Sequence, residues 1–555
     1  MMNQAAHNLI LILMASLPFA LPASAADYAI INLGGSKVVA INDKNQIAGQ
    51  LIGQYSLVHA AFWEKGVMSD LGTLGGSTSM LGASRHCLNN NGQVVGWSET
   101  TTVASHAFVW QNGVMTDLTP LPSIYSAAVA INDAGQIAGA SVGGTIPVGH
   151  AVMWQQNGTM VDLGALTPNG SSAATDINAS GQVTGWADTA TPGVRHAFIW
   201  KDGQMTDLGA PGGDSNFSNG VAINDSGAVV GNSSSDVPPF TPHAFVWANG
   251  LTDIGTLGGA GTTLRALNGL GQVVGTSDPA SGFSRPFLWQ NGQMTDLGTL
   301  GGDNFGTAVD INEASQVVGY ASTPAFHSFH TFLWQNGQLT DLGTLGGNSS
   351  SAVAINNKGW IVGSSGLADF SSTAALWTPD RPPVADASAT QIQVISPDNV
   401  GAQVTLDGSR SSDADGDSLT YKWFPRNIFL YINTGVKLKV WFNVGSMPVT
   451  LTVSDGWMTT STSITVTVIT AAQAVNNLAG QVSAANIQSG VKNTLLSDLS
   501  AAASSFNHGN FGTGANQLQQ LINDVNAQSG KKIDVTTANA LIAAAQSIIT
   551  AVAIA

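Results

Sequence analysis

The sequence predicts a mainly β protein: an eight-bladed β-propeller at residues 26–378 that is closed by its N-terminal strand, then an immunoglobulin-like β-sandwich and a small helical bundle. Three observations predict this organisation. A unit of 43–47 residues repeats eight times between about residues 38 and 378, which is the signature of a repeat architecture. The strands expected in each unit are apolar on both faces. After the repeats, the hydrophobic pattern alternates as in strands and then takes a helical period.

Two short motifs mark each repeated unit. The first, I/L-N-x-x-G-x-V/I-x-G, begins at Ile41, Leu88, Ile131, Ile177, Ile223, Leu267, Ile311 and Ile355. The second, H-A-F-x-W, is followed by x-N-G-x-M-T-D-L-G. Asn-Gly between apolar runs predicts a tight hairpin, because both positions tolerate positive φ, and the Asn of the first motif predicts an Asx turn. Each unit therefore divides into four short strands.

The H-A-F strand shows why a propeller is favoured. His106, Phe108 and Trp110 share one face of this strand, and Ala107 and Val109 share the other. A sheet with one wet face would alternate more strictly between polar and apolar residues. Burial on both faces fits a sheet packed between two neighbouring sheets, which is a propeller blade.

The two ends of the repeat array predict ring closure. The eighth unit stops after A-A-L-W and lacks its own T-D-L-G strand, whereas Y-A-I-I-N-L-G-G at Tyr28–Gly35 resembles that strand and has no unit before it. The N-terminal strand is therefore expected to complete the last blade and remove the open edges. Seven blades with a displaced strand are the alternative.

The H-A-F strings at His106, His196 and His243 make the units resemble the HAF-type extracellular repeat family, over about 350 residues. The strings at His59 (H-A-A-F-W), Arg285 (R-P-F) and Thr373 (T-A-A) depart from the pattern. The resemblance implies secretion and a repeat fold. It brings no established catalytic residues.

Two modules are expected after a linker at residues 379–385. Residues 386–470 contain V-T-L-D-G-S-R-S-S-D-A-D-G-D-S-L-T-Y-K-W-F and V-T-L-T-V-S-D-G-W, which alternate strictly and resemble PKD-type immunoglobulin-like modules. Such modules act as spacers or carbohydrate-associated accessories. Residues 471–555 have helical apolar stripes, such as Leu518, Ile522 and Val525, and resemble the FIMAH module of bacterial secreted proteins.

The N-terminal segment is interpreted as a secretory signal peptide at residues 1–25. A short apolar stretch is followed by Ala23-Ser24-Ala25, a small-x-small cleavage pattern, although no Lys or Arg precedes it. A buried N-terminal strand or helix is the alternative. The predicted location is secreted, extracellular or periplasmic in a bacterium, with no membrane insertion after the signal is removed.

Charge and cysteine content exclude several classes of partner. The formal net charge is −16, so a nucleic-acid partner is excluded because like charges repel. A single cysteine, Cys87, allows neither an intramolecular disulfide nor a cysteine-built zinc site. No cofactor is expected, apart from a weak calcium site.

That calcium site would use Asp413, Asp415 and Asp417, three carboxylates alternating around a glycine, with Asp407 or Asp455 as added ligands. The sequence lacks the downstream bidentate Glu of an EF-hand. A plain Asp/Gly turn between two strands is the alternative.

The recurring histidines are interpreted as structural residues. They lie one unit apart, so they converge only if all of them point into the central channel. We expect each to bond within its own unit to the Asp of T-D-L-G, as at Asp117, Asp207, Asp296 and Asp341.

Aromatic residues are expected in the loop between the second and third strands of each unit: Tyr55, Trp97, Trp186, Phe240, Phe283, Tyr320, Phe326, Phe329 and Phe370. Aromatic faces beside Asn, Ser and Asp suit the stacking of sugar rings. The predicted ligand-binding set is Tyr55, Trp97, Trp186, Phe240, Phe283 and Tyr320. Packing between blades is the alternative.

The leading functional hypothesis is a secreted or cell-surface non-catalytic protein that binds extracellular polysaccharide or a surface protein. The rivals are a polysaccharide hydrolase or lyase with its active site in the channel, and a structural envelope component. Convergence of ionisable residues in the channel would favour the enzyme. Arg85, His86 and Arg265 break the repeat near the first strand of their units, which lines the channel in propellers.

Overall fold

The computed structural model describes residues 28–553, except residues 36, 53–56, 103, 119–122, 144–145, 213–216, 235–240, 303–304, 326–327, 380, 390–391, 426–431 and 434. The predicted signal peptide therefore lies outside the described residues. The chain forms two compact units, one ending at residue 380 and the other beginning at residue 381.

The first unit is built from short strands. They are β1 Ala29–Asn32, β2 Lys37–Ile41, β3 Ile47–Ile52, β4 Val58–Glu64, β5 Val67–Asp70, β6 Gly75–Leu81, β7 Val94–Thr100, β8 Ser105–Gln111, β9 Val114–Asp117, β10 Ser123–Ile131, β11 Ile137–Gly143, β12 Ile146–Trp154, β13 Met160–Gly164, β14 Ser172–Ile177, β15 Val183–Asp188, β16 Arg195–Lys201, β17 Gln204–Gly209, β18 Phe217–Ile223, β19 Val229–Ser234, β20 Pro242–Trp247, β21 Leu251–Asp253, β22 Gly258–Leu267, β23 Val273–Pro279, β24 Arg285–Gln290, β25 Gln293–Asp296, β26 Gly306–Ile311, β27 Val317–Ser322, β28 Phe329–Gln335, β29 Gln338–Asp341, β30 Gly346–Ile355, β31 Ile361–Leu367 and β32 Ser372–Thr378.

These strands form sheets that follow the sequence repeat. Six sheets have four antiparallel strands each, in the orders β2-β3-β4-β5, β14-β15-β16-β17, β18-β19-β20-β21, β22-β23-β24-β25, β26-β27-β28-β29 and β30-β31-β32-β1. The seventh has eight strands, because one parallel pair, Tyr125 with Ser105, joins β6–β9 to β10–β13. The predicted Asn-Gly hairpin is confirmed at Asn336 (φ 52°) and Gly337 (φ 80°).

The N-terminal strand completes the last repeated sheet, as the ends of the array predict. Strand β1 pairs antiparallel with β32, from Ala29 opposite Thr378 to Asn32 opposite Ala375. The hydroxyl of Tyr28 also donates to the carbonyl of Gly359 at 2.9 Å. The open edge that β32 would otherwise present is thereby covered.

The asparagines of the first motif connect successive sheets. The Asx turn is confirmed, since Oδ1 of Asn42 accepts the backbone N–H groups of Lys44 and Gln46. In addition, each side-chain amide donates to the backbone carbonyl of the next asparagine at 2.8–3.2 Å: Asn42 to Asn89, Asn89 to Asn132, Asn132 to Asn178, Asn178 to Asn224, Asn224 to Asn268, Asn268 to Asn312, Asn312 to Asn356, and Asn356 back to Asn42. The eight bonds form a closed cycle.

The core lies between adjacent sheets, which confirms the two-sided burial. The rings of Phe62 and Trp110, on the sheets of the first two units, lie 5.1 Å apart. Close packing explains the last glycine of the first motif. In the eighth unit this residue is Gly363, where an added Cβ would lie 2.0 Å from the carbonyl oxygen of Ser351. This close approach accompanies a register shift between β30 and β31.

The second unit begins with a two-sheet module. Its strands are β33 Ser388–Ala389, β34 Gln393–Ile395, β35 Gly401–Asp407, β36 Thr420–Pro425, β37 Ile432–Asn433, β38 Lys437–Asn443, β39 Gly445–Ser454 and β40 Thr459–Ile469. One sheet has the order β33-β35-β38 and the other the order β34-β40-β39-β36-β37. Side chains from both sheets, including Val404, Phe442, Trp423 and Leu451, form one buried core.

A helical module follows, with helices α1 Ala471–Ala484, α2 Ser489–Asn507, α3 Phe511–Gln528 and α4 Val535–Val552. The predicted stripe on α3 is confirmed, since Leu518, Ile522 and Val525 are buried in the shared core. Among the described helices, α4 is the one with the length and mean hydropathy of a membrane span. Its Leu541 and Ile548 are buried in the same core.

Candidate functional site

A cavity of about 330 Å³ lies inside the asparagine cycle, and all eight of these asparagines line it. One feature breaks the eightfold pattern of the lining. Where the other units continue their first strand, the second unit forms a single 3₁₀ turn, Arg85–Cys87. This turn places Arg85 and His86 at the cavity.

Arg85 reaches across to two other units. Its guanidinium donates to the carbonyl oxygens of Val309 and Arg265. Its Nε also lies 3.5 Å from Oδ1 of Asp310. Arg265, the third residue that breaks the repeat, is itself exposed and contributes its carbonyl. The guanidinium therefore joins the second unit to the sixth and seventh.

His86 reaches in another direction, to the fourth unit. Its Nδ1 lies 2.7 Å from Oδ1 of Asp176, whose side chain is only 1% exposed, whereas the His86 side chain is 56% exposed. The negative charge of Asp176 raises the pKa of His86, against the opposing effects of desolvation and of the Arg85 charge. The contact with Asp176 therefore stabilises the imidazolium form relative to that of an unpaired histidine.

The two carboxylates of this cluster are equivalent positions in their units. Oδ2 of Asp176 accepts the backbone N–H of Ile223, and Oδ2 of Asp310 accepts that of Ile355, each at the start of the next unit's Asx turn. Each Asp thus ties its own sheet to the next, and its remaining oxygen faces the cation from the 3₁₀ turn.

Arg85, His86 and Arg265 were predicted from the sequence, whereas Asp176 and Asp310 were not. A signal was available, because the residue before I/L-N is Ala or Cys in the other six units and Asp in these two. A charged residue at a position that is otherwise small and buried needs a partner.

The chemistry open to this cluster is narrow. The guanidinium nitrogens of Arg85 and both oxygens of Asp176 are engaged within the protein. Among the described residues, Nε2 of His86 has no hydrogen-bond partner, and His86 lines the cavity. The described lining contains no Ser, Thr, Cys, Tyr or Lys. It does contain carboxylates, the other residue type that can act as a nucleophile, and each of them accepts a backbone N–H from a neighbouring unit: Asp43, Asp133, Asp225, Asp310 and Glu313. Burial raises the pKa of the neighbouring Cys87 thiol to about 12, so that thiol is inert. The cluster connects the second unit to the fourth, sixth and seventh units across the asparagine cycle.

The recurring histidines bond as expected from the sequence. Nδ1 lies 2.7–2.9 Å from the carboxylate in six pairs: His59–Asp70, His106–Asp117, His150–Asp162, His196–Asp207, His243–Asp253 and His330–Asp341. In the sixth unit Arg285 replaces the histidine and lies 3.5 Å from Asp296. The structural interpretation of these histidines is confirmed.

The predicted rim aromatics occupy two kinds of position. Trp97, Trp186 and Tyr320 were expected in loops but lie within strands β7, β15 and β27, because the second strand continues past the last glycine of the motif. Phe329 was also expected in a loop but is the first residue of strand β28. Phe283 does lie in the expected loop, between β23 and β24, and is 63% exposed. Tyr55 and Phe240, like Phe326, lie outside the described residues.

Trp186 already has an intramolecular partner on its ring. The guanidinium carbon of Arg195 lies 3.9 Å from the ring centroid, and the Nε of Arg195 lies 3.0 Å from Asp188. This face of the indole is therefore covered.

Tyr320 belongs to an aromatic cluster beside a groove. The ring centroids of Tyr320, Phe305 and Phe329 lie 5.9–6.4 Å apart. Tyr320 and Phe329 line a groove of about 500 Å³ between the sheets of the seventh and eighth units, together with Asn348, Ser349, Ser350, Ser351, Ser364, Gly366, Leu367, Phe370, Ser371 and Ser372. We call this the aromatic groove.

Phe370 stands at the edge of the aromatic groove in the loop between β31 and β32. Its side chain is 88% exposed and its φ is +66°. A bulky residue with positive φ costs on the order of 1–3 kcal/mol and tends to occur at functional positions. Neither packing nor backbone preference explains a phenylalanine here.

The three predicted calcium ligands are not gathered into one site. Oδ1 of Asp413 accepts the backbone N–H groups of Asp415 and Asp417, which is the turn alternative. The Asp415 carboxylate lies 3.0 Å from the Arg381 guanidinium. Within the described part of the chain, no group of three or more His, Cys, Asp or Glu side chains is placed to hold a metal.

No protein-family model matches the sequence, and no curated protein matches it. Among solved structures, dipeptidyl peptidase 4 from Porphyromonas gingivalis aligns over 75% of this chain and 65% of its own length, with 8% identity and a TM-score of 0.40. TolB from Acinetobacter baumannii aligns over 53% of this chain and 77% of its own (13% identity, TM-score 0.27).

A triple arginine-to-alanine mutant of AofleA from Arthrobotrys oligospora aligns over 48% of this chain and 89% of its own (14% identity, TM-score 0.26). This chain spans about two thirds of the length of the peptidase. Likenesses at these TM-scores carry no argument about activity.

Proposed function

We propose that residues 28–378 form an eight-bladed β-propeller and that the chain belongs with the HAF-type, PKD-type and FIMAH-type modules that its sequence resembles. The closed cycle of eight asparagine bonds supports the blade count. The common core of two sheets at residues 388–469 supports an immunoglobulin-like sandwich. Secretion after removal of residues 1–25 completes this proposal.

The proposed function is non-catalytic binding of an extracellular glycan by the aromatic groove. The observation that carries it is Phe370, a phenylalanine that is 88% exposed and held at positive φ beside Tyr320 and Phe329. Exposure of an apolar ring to water and a positive φ are both unfavourable for phenylalanine. A ligand that covers the ring explains why phenylalanine occupies this position. Sugar rings present the C–H face that stacks on aromatic side chains.

The rest of the groove favours an uncharged saccharide. Its described lining contains no charged side chain, and it supplies hydroxyls and one amide, such as Ser349, Ser372 and Asn348. The protein carries a net charge of −16, which opposes polyanionic glycans. A volume of about 500 Å³ is that of a site for a small ligand.

The test is a glycan array probed with the full protein, with product release measured in the same wells. We expect saturable binding to a neutral glycan, without turnover, that is at least about tenfold weaker in F370A and Y320A. The matched control is F283A, since Phe283 occupies the corresponding loop of the sixth unit and does not line the groove. Unchanged binding in both groove variants contradicts the proposal, and silence on the array favours a protein partner or a structural role.

A second candidate, an enzyme with its active site in the channel, is favoured by one atom, Nε2 of His86. The other ring nitrogen, Nδ1, is held by the buried Asp176 carboxylate, and His86 lines the cavity, which is the arrangement of a general acid or base. Released oligosaccharide that disappears in H86Q would support the enzyme. Release that persists in H86Q would exclude this histidine from the reaction.

A further inference from the structure

The second compact unit contains a crevice of about 1260 Å³ between the two-sheet module and the helical module. Strands β34, β35 and β38 form one wall, and helices α1 and α4 form the other. The crevice is lined by the indole of Trp441 and by polar side chains that include Gln403, Gln481, Gln546 and Asp398.

A one-residue connection and apolar contacts join the two walls. Strand β40 ends at Ile469 and α1 begins at Ala471, so only Thr470 lies between them, and Thr470 forms a capping box with Gln473. Ile395 and Ile469 of the sheet pack against the helical core. The crevice is therefore a preorganised feature of the unit, which lowers the cost of binding.

Trp441 supplies an apolar surface in this crevice. The residue is 48% exposed, although its indole rests against the backbone of Gly401, where an added Cβ would lie 2.5 Å from Nε1 and 2.8 Å from Cε2. The glycine allows the ring to lie against the strand. An indole fixed in this way and half exposed is a platform on which a flat ligand can stack.

Amide side chains surround the platform. Gln393, Gln403, Asn477, Gln481 and Gln546 line the crevice, are exposed, and make no side-chain hydrogen bond to any other described residue. A carboxamide both donates and accepts, which matches the hydroxyl groups of a sugar.

Charge narrows the class of ligand. Asp398 is the single charged residue of the described lining, and its carboxylate is used by the protein, since Oδ1 accepts the N–H groups of Val400 and Gly401. These bonds hold the pKa of Asp398 below its ordinary value. The crevice has no cation for an anionic ligand. Its volume exceeds that of sites for one small molecule, about 300–1,000 Å³.

We propose that this crevice binds a neutral oligosaccharide of several sugar rings, stacked on Trp441 and hydrogen-bonded by the surrounding amides. The site is separate from the aromatic groove and lies in the other compact unit. The protein thereby has two independent places for neutral glycans.

The test uses the full chain and isothermal titration with four neutral probes, cellopentaose, maltopentaose, mannopentaose and chitopentaose, and with pentagalacturonate as an anionic probe. We expect at least one neutral probe to bind and pentagalacturonate not to bind. W441A should weaken binding about tenfold and Q481A a few fold, whereas W441F, which keeps an aromatic ring, should stay within about threefold. The matched control is V400A, because Val400 is 61% exposed but does not line the crevice.

The outcomes separate this site from the aromatic groove. Binding that survives in F370A and Y320A but is lost in W441A supports the crevice alone. Equal binding in W441A and the wild type overturns the proposed crevice site, whatever the binding of F370A and Y320A. Failure of every neutral probe to bind with Kd below about 1 mM also overturns it.

Discussion

The side-chain amide of Asn356 donates to the backbone carbonyl of Asn42 at 2.9 Å, although 314 residues separate the two along the chain. The same amide bonds Oδ1 of Asn45, and the side chain of Asn356 accepts the N–H of Trp360. The last repeated unit is thus attached to the first by the bond that joins every other neighbouring pair.

Asn356→Ala should lower the free energy of unfolding by about 2 kcal/mol, because buried backbone groups lose their partners. Urea denaturation followed by circular dichroism measures this. Asn178→Ala, at the equivalent position inside the array, should cost the same within about 0.5 kcal/mol. A loss below 0.5 kcal/mol for Asn356→Ala alone would show that the closing contact does not hold the ring.

Phe370→Gly should raise stability by about 1 kcal/mol and reduce glycan binding. Glycine adopts positive φ without the steric cost that phenylalanine incurs, and removal of the ring removes the stacking surface. Thermal unfolding and the glycan titration are measured on the same preparation. A variant that is less stable than the wild type would assign Phe370 a structural role instead.

Arg85→Ala should destabilise the first compact unit by about 3 kcal/mol, because the half-buried carboxylate of Asp310 and the carbonyls of Val309 and Arg265 lose their cation. Arg285→Ala is the matched control, since its pair with Asp296 has a similar 3.5 Å separation but lies within one unit. Urea denaturation curves should show a larger loss in the free energy of unfolding for Arg85→Ala than for Arg285→Ala. Equal losses would argue against a tie between units.

The His86–Asp176 pair makes stability depend on pH. Asp176 raises the folded-state pKa of His86 above its ordinary value of 6.5, and Arg85 and Asp310 are the other charges that face it. The stabilisation is therefore fully present below about pH 6.5 and is lost as the pH rises through the raised folded-state pKa. The stability difference between wild type and H86Q should shrink between pH 6 and pH 8. A constant difference would mean that His86 does not titrate in this range.

The sequence predicted the strands well because their signals are local. Asn336-Gly337 and the alternation in each unit depend on neighbours within a few residues, and the pairing of β1 with β32 followed from a strand that one end of the array had and the other lacked. Trp97 and Tyr320 were placed in loops because strand length beyond the motif has no local marker.

The channel cluster could be predicted only in part. Arg85 and His86 were predicted because they break the repeat, but their partners are distant in the sequence. Asp310 lies 225 residues after Arg85, and Asp176 lies 90 residues after His86. Which unit faces which across the asparagine cycle depends on the number of units in the cycle and on where the 3₁₀ turn points. Both are properties of the closed assembly and are absent from any single repeat.

The pairing of β1 with β32 also constrains how the protein is made. Ala29 leaves the ribosome about 350 residues before its partner Thr378, which at about 5–20 residues per second is on the order of half a minute. Throughout that interval the first strand has no partner in its own sheet, and the newest strand presents a bare edge. A premature stop codon within the array would therefore leave one chain with two strands whose edges are unpaired. Such truncated products should associate with one another through these edges.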